Sequence, residues 1–171
     1  MMLAKHIAAR RAGMSSKRTL GFTLIEMMLS LAILALLATM AAPVGALVYK
    51  RNKEQELKLA LRQMREGIDA YKTAYDSGHV IKKVGASGYP PTLEVLEQGV
   101  EDAQSADRKK IYFIRKIPRD PFAEPGGRAA DTWGLRSYAS EPDLPQRGED
   151  VFDVYSKSTE QGLNGVPYRE W

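Results

Sequence analysis

The chain has 171 residues, no cysteine, and 25 Lys+Arg against 21 Asp+Glu, a formal charge of +4. The missing cysteines exclude a disulfide scaffold, thiolate zinc, iron–sulfur clusters and a cysteine nucleophile. A basic chain of this size suggests nucleic acid or an anionic membrane as partner, until the charge is located.

Residues 1–21 carry Lys5, Arg10, Arg11, Lys17 and Arg18 and no acid. Without them 20 basic and 21 acidic side chains remain, so the whole excess sits at the N-terminus and nothing else argues for nucleic acid. A basic, acid-free start before an apolar run is a membrane-targeting pattern. Met27 to Tyr49 follows without a charge, 23 residues. As a helix it would cover about 34 Å, enough for a hydrocarbon core of about 30 Å. The preceding cations orient the span, with the N-terminus cytoplasmic and the C-terminal bulk exported. A general secretory signal, cut near Ala41-Ala42, competes with this reading. Glu26 inside the apolar stretch argues against it.

Glu26 stands behind Gly21-Phe22-Thr23-Leu24-Ile25, after the basic leader and before the span. This hexamer resembles the type III signal of type IV pilins and type II secretion pseudopilins. The resemblance implies that a prepilin peptidase cuts between Gly21 and Phe22. It also implies that the same enzyme N-methylates the new amine of Phe22. In a filament of identical subunits, Glu26 of one copy would face the Phe22 amine of its neighbour. Two buried charges that each need a partner then set register. Pro43, a helix breaker in an interior turn, predicts a kink or local melting.

From Lys50 the chain turns charged. Lys50, Arg51 and Lys53 form a basic cluster that Glu54 and Glu56 dilute, which reads as a solvated helix face. Leu57, Leu61, Met64, Ile68, Tyr71 and Tyr75 are spaced 4, 3, 4, 3, 4, one apolar stripe on a helix, with both tyrosines as core. Ser77-Gly78 is a helix stop. A single helix from Phe22 to Asp76 would be about 80 Å long.

Residues 77–171 hold eight of the nine prolines. Tyr89-Pro90-Pro91-Thr92 leads into a short helix over 93–97 that closes near Gly99. Residues 101–110 read as a polar loop, 111–114 as a helix end or strand, and 117–122 (Ile-Pro-Arg-Asp-Pro-Phe) as a rigid turn. Residues 133–139 and 151–156 are the best strands, separated by a Pro-rich loop. The expected fold is α+β: a long N-terminal helix packed against a small antiparallel sheet. The domains are a leader 1–21, a transmembrane or filament-core helix 22–49, an amphipathic stem 50–76 and a periplasmic head 77–171.

The Tyr-Pro-Pro loop, the Ile-Pro-Arg-Asp-Pro-Phe turn and the late Val-Phe-Asp-Val-Tyr-Ser run resemble the major pseudopilins of type II secretion. That implies a structural subunit of a helical filament that helps to drive exoprotein export, with the chain in the inner membrane before assembly. Implied partners are further copies, minor pseudopilins, the prepilin peptidase/methyltransferase and an inner-membrane assembly platform. The alternatives are a type IV pilin and, from another class, a membrane-anchored periplasmic binding module or enzyme. The resemblance also implies calcium held by aspartates after the Tyr-Ser strand. Here residues 157–165 contain none, and Glu160 and Asn164 alone would make a weak site. We therefore expect no metal or other cofactor, and packing of Val166, Tyr168 and Trp171 to hold that loop. No catalytic residues are expected. His79 reads as a solvated loop histidine, Ser137 and Ser156 lack a nucleophile motif, and Asp120, Asp150 and Asp153 read as soluble surface.

Overall fold

The computed structural model describes residues 21–171, the side chains of residues 40–43 excepted. Residues 1–20, which hold most of the expected leader, lie outside that range. The fold is α+β. Helix α1 (Leu24–Asp76) is followed by α2 (Glu94–Gln98), the pair β1 (Val100–Glu101) and β2 (Lys110–Ile111), and the pair β3 (Trp133–Arg136) and β4 (Asp153–Ser156). Both pairs are antiparallel, with Val100 opposite Ile111 and Trp133 opposite Ser156. Single 3-10 turns occupy Ala129–Thr132 and Tyr168–Glu170. Internal contacts divide the chain into residues up to Pro43 and a unit Val44–Trp171.

In the second unit the stem's stripe becomes the core, as its spacing predicts. Leu57, Leu61, Met64, Ile68 and Tyr71 are buried, and Tyr75 packs at the margin. They meet Leu93, Leu96, Ile114, Ile117, Trp133, Val151, Val154 and Tyr168. Gly67 has a packing role: a Cβ there would stand 2.5 Å from Ile114 Cγ2, so only glycine lets that isoleucine reach the helix backbone. The helix ends where the sequence indicates. Ser77 N–H still reaches Thr73 O at 3.0 Å, and Gly78 turns left-handed at φ 83°.

Both predicted strands of the second pair are shorter than expected, for identifiable reasons. At Ser137 the chain leaves β3, its N–H going to Gln146 O and its hydroxyl to Asp150. Val151 N–H is taken by Pro90 O, so β4 begins two residues late. The polar stretch 101–110, expected to be loop, is bounded by the short β1–β2 ladder. Of the run 111–114, Ile111 is strand, while Phe113 and Ile114 bond back to Leu96 O at 3.1 Å each.

Candidate functional site

The N-terminal segment is built by a helix cap. Gly21, Phe22 and Thr23 precede α1, and Thr23 is the residue before its first turn. Its Oγ1 accepts the Glu26 N–H at 3.3 Å and its carbonyl accepts Met27 N–H at 3.1 Å. Thr23-Leu24-Ile25-Glu26 is thus a capping-box sequence whose threonine half is formed. Glu26 lies in the first turn, where a negative charge suits the helix dipole. Its carboxylate is exposed, as are Phe22 (76% exposed) and Ile25. Among the described residues nothing lies within 4 Å of a Cβ placed on Gly21, so the fold itself imposes no packing demand for glycine there.

Every described residue from Gly21 to Tyr49 is exposed. An α-helix that is apolar all round and uncovered requires a non-aqueous neighbour. α1 is long and apolar enough to cross a membrane. Its hydroxyls at Ser30 and Thr39 are internally satisfied: Ser30 Oγ donates to Glu26 O and Thr39 Oγ1 to Leu36 O, each at 2.7 Å. Pro43 lies within the helix assignment, and its side chain lies outside the described residues.

In the head, the carboxylates read as soluble surface are mostly clips between segments. Asp120 is 1% exposed and accepts Ser156 Oγ at 2.6 Å and Phe122 N–H at 2.8 Å. The tryptophan of β3 donates its Nε1–H to Pro118 O at 2.8 Å. The Arg119 guanidinium donates to the carbonyls of Glu124, Gly126 and Gly127. The Ile-Pro-Arg-Asp-Pro-Phe turn is therefore a fastening point. Asp150 accepts from Ser137 Oγ and Tyr138 N–H, both at 2.8 Å, and from Ser87 Oγ. Burial by itself would raise its carboxyl. The bonds from Ser87, Tyr138 and Ser137 outweigh burial and hold the carboxyl below the usual 3.8. Asp153 pairs with Arg65 of the stem at 2.9 Å. His79 is not freely solvated, since its Nδ1 lies 2.9 Å from Asp102 Oδ1. That contact, with the Gln104 N–H, lowers the Asp102 carboxyl. Ser137 and Ser156 each donate to a carboxylate, the geometry of a clip and not of an activated nucleophile.

In the loop after β4, Glu160 and Asn164 are the side chains that could offer oxygens to a calcium ion. Among the described residues no group of three or more His, Asp or Glu side chains could hold a metal. Glu160 is exposed, and Asn164 Oδ1 is taken by Val166 N–H at 3.1 Å. Lys157 Nζ already occupies the Asp131 carbonyl at 2.7 Å. What fastens the segment is a residue of the stem. Glu54, 8% exposed, accepts Leu163 N–H at 2.7 Å and the Tyr168 hydroxyl at 3.0 Å. Tyr168 is fully buried and stacks on Phe122 at 4.1 Å between centroids, with Trp171 edge-on. Burial first, and then the bond to Glu54, push its phenol well above 10.0. Val166, expected to pack, is exposed at 37%, and its carbonyl receives Gly162 N–H and Trp171 Nε1–H. Glu54 was legible only as a member of a diluted charge run, since nothing in the sequence signals an inward-turned acid.

Comparison with known proteins adds two findings. Residues 16–42 match the model of the prokaryotic N-terminal methylation motif. The chain is also 28% identical over 116 residues to "Type II secretion system core protein G" of Aeromonas hydrophila, covering 66% of this chain and 73% of that protein. No solved structure matches. The hexamer at Gly21–Glu26 and the capped start of α1 thus lie within the match to the prokaryotic N-terminal methylation motif, on a chain similar over 116 residues to a type II secretion core protein.

Proposed function

We propose that this chain is a structural subunit of a type II secretion pseudopilus. It waits in the inner membrane with its N-terminus cytoplasmic and its head periplasmic. Prepilin peptidase cuts between Gly21 and Phe22 and methylates the Phe22 amine, and an inner-membrane assembly platform stacks the mature chains into a helical filament that helps to move exoproteins outward. Further copies and minor pseudopilins are its neighbours in that filament. The chain acts without catalysis and without a bound metal.

One observation carries the reading. Behind the hexamer, the described residues of α1 up to Tyr49 are almost all apolar and all exposed, a surface that serves first in lipid and then against copies of itself. The likeness of the chain over 116 residues to a secretion core protein favours secretion over a type IV pilus. Mass analysis of the purified mature chain tests it. A chain beginning at N-methylated Phe22 is the expected result. A chain beginning at Met1 would leave a plain membrane anchor, and one beginning near Pro43 a secreted protein.

A further inference from the structure

We infer that the first turns of the stem, at Lys50, Arg51 and Lys53, form a cationic collar that binds anionic phospholipid headgroups where the membrane span ends. The inference rests on the membrane reading above. In sequence the cluster is diluted by Glu54 and Glu56. The structure removes half of that dilution. Glu54 points inward, 8% exposed, with one carboxylate oxygen bonded to both Leu163 N–H and the Tyr168 hydroxyl. Residues 50–62 therefore present five cations (Lys50, Arg51, Lys53, Lys58 and Arg62) and one exposed acid, Glu56.

The collar's cations are also not spent on ion pairs. Among the described residues, none of Lys50, Arg51 and Lys53 has a carboxylate within 4.0 Å. Instead, Lys50 Nζ lies 5.9 Å from the Tyr168 ring centroid, and Lys53 Nζ lies 5.2 Å from that of Tyr49 and 5.4 Å from that of Phe122. Aromatic faces brace the ammonium groups without neutralising them.

The position fits a headgroup. On the N-terminal side of the collar in the same unit, Val44, Leu47, Val48 and Tyr49 are all more than half exposed. Apolar side chains, then a tyrosine, then cations is the order of a bilayer boundary read from hydrocarbon to phosphate. Cations on the translocated flank also work against the orientation that the leader imposes. A basic collar there is explained by what it binds: each such cation near an anionic surface adds attraction that fades within about a Debye length.

The test uses the full chain in phosphatidylcholine vesicles carrying a trace of spin-labelled phosphatidylglycerol or spin-labelled phosphatidylcholine. The expected result is a larger motionally restricted fraction for the anionic label. That excess falls with added salt and is lost in the triple variant Lys50→Gln/Arg51→Gln/Lys53→Gln. Lys50→Arg/Lys53→Arg, which keeps the charges, retains it. The leader cations are common to all variants and cancel in the comparison. Equal fractions in the unmodified chain, or an excess unchanged in the triple variant, would overturn the collar. So would a triple variant that keeps its lipid selectivity but loses crosslinking between copies, because the cations would then serve carboxylates of a second copy. A chain that fails to float with the vesicles overturns the membrane span itself.

Discussion

Glu26 has two roles that the structure separates. Its backbone N–H completes the Thr23 cap, while its carboxylate is exposed and held by no partner among the described residues. Glu26→Ala therefore leaves the cap in place and costs the helix start only the dipole contribution, about 0.5 kcal/mol. We expect this variant to be inserted and cleaved normally and to yield few filaments, counted by electron microscopy; filaments in normal number would remove the register role. Thr23→Ala is the converse case, weakening the helix start by about 1 kcal/mol while leaving the carboxylate. Glu54 is the second residue whose role is specific. Glu54→Ala strands the half-buried Leu163 N–H and the buried Tyr168 hydroxyl, so we expect the head to lose about 2–4 kcal/mol by denaturant titration. Glu54→Gln keeps an acceptor oxygen and loses less than half of that. Equal losses would mean that the side chain acts by packing alone.

At the scale of elements, the stem works by facial asymmetry. Met64 is fully buried in the stripe, whereas Leu59 is 64% exposed on the other side. Met64→Ala is expected to destabilise the head by about 2–5 kcal/mol, and Leu59→Ala by less than about 0.5 kcal/mol, both read as chemical-denaturation midpoints. The loops depend on carboxylate clips, and these set the pH limits. The folded Asp150 carboxyl lies below its unfolded value of 3.8, so its contribution is complete above that pH and is lost as pH falls below it. Tyr168 has the opposite sign for the same reason, its phenol being raised. Its contribution is complete below pH 10.0 and is lost as pH rises beyond it. Melting temperature against pH should fall on both sides. Asp150→Asn should flatten the acid limb and Tyr168→Phe the alkaline one, and a limb that keeps its slope would assign it to other groups.

At the scale of the whole molecule, the C-terminal segment is closed by the chain's own residues, so the mature protein should melt at one temperature in calcium and in EGTA. A shift of several degrees would place an ion in the loop after β4. Net charge also belongs to this scale. The +4 of the full chain becomes −1 without residues 1–21, so isoelectric focusing should separate precursor from mature protein clearly. The sequence by itself determined the features that local rules control. The uncharged run 27–49 marked out an apolar stretch long enough to cross a membrane, a 3.6-residue period picked out the stem face from Leu57 to Tyr75, and Ser77-Gly78 set the helix end. Tertiary structure decided which polar groups turn inward. Glu54, Asp120 and Asp150 carry the same side chains as their solvated neighbours. Their inward placement, full for Glu54 and Asp120 and partial for Asp150, is settled by donors far along the chain, Leu163 and Tyr168 for Glu54, Ser156 for Asp120, and Ser87 for Asp150. Periodicity reports a repeating local environment, and a single hydrogen bond across about a hundred residues leaves no period to read.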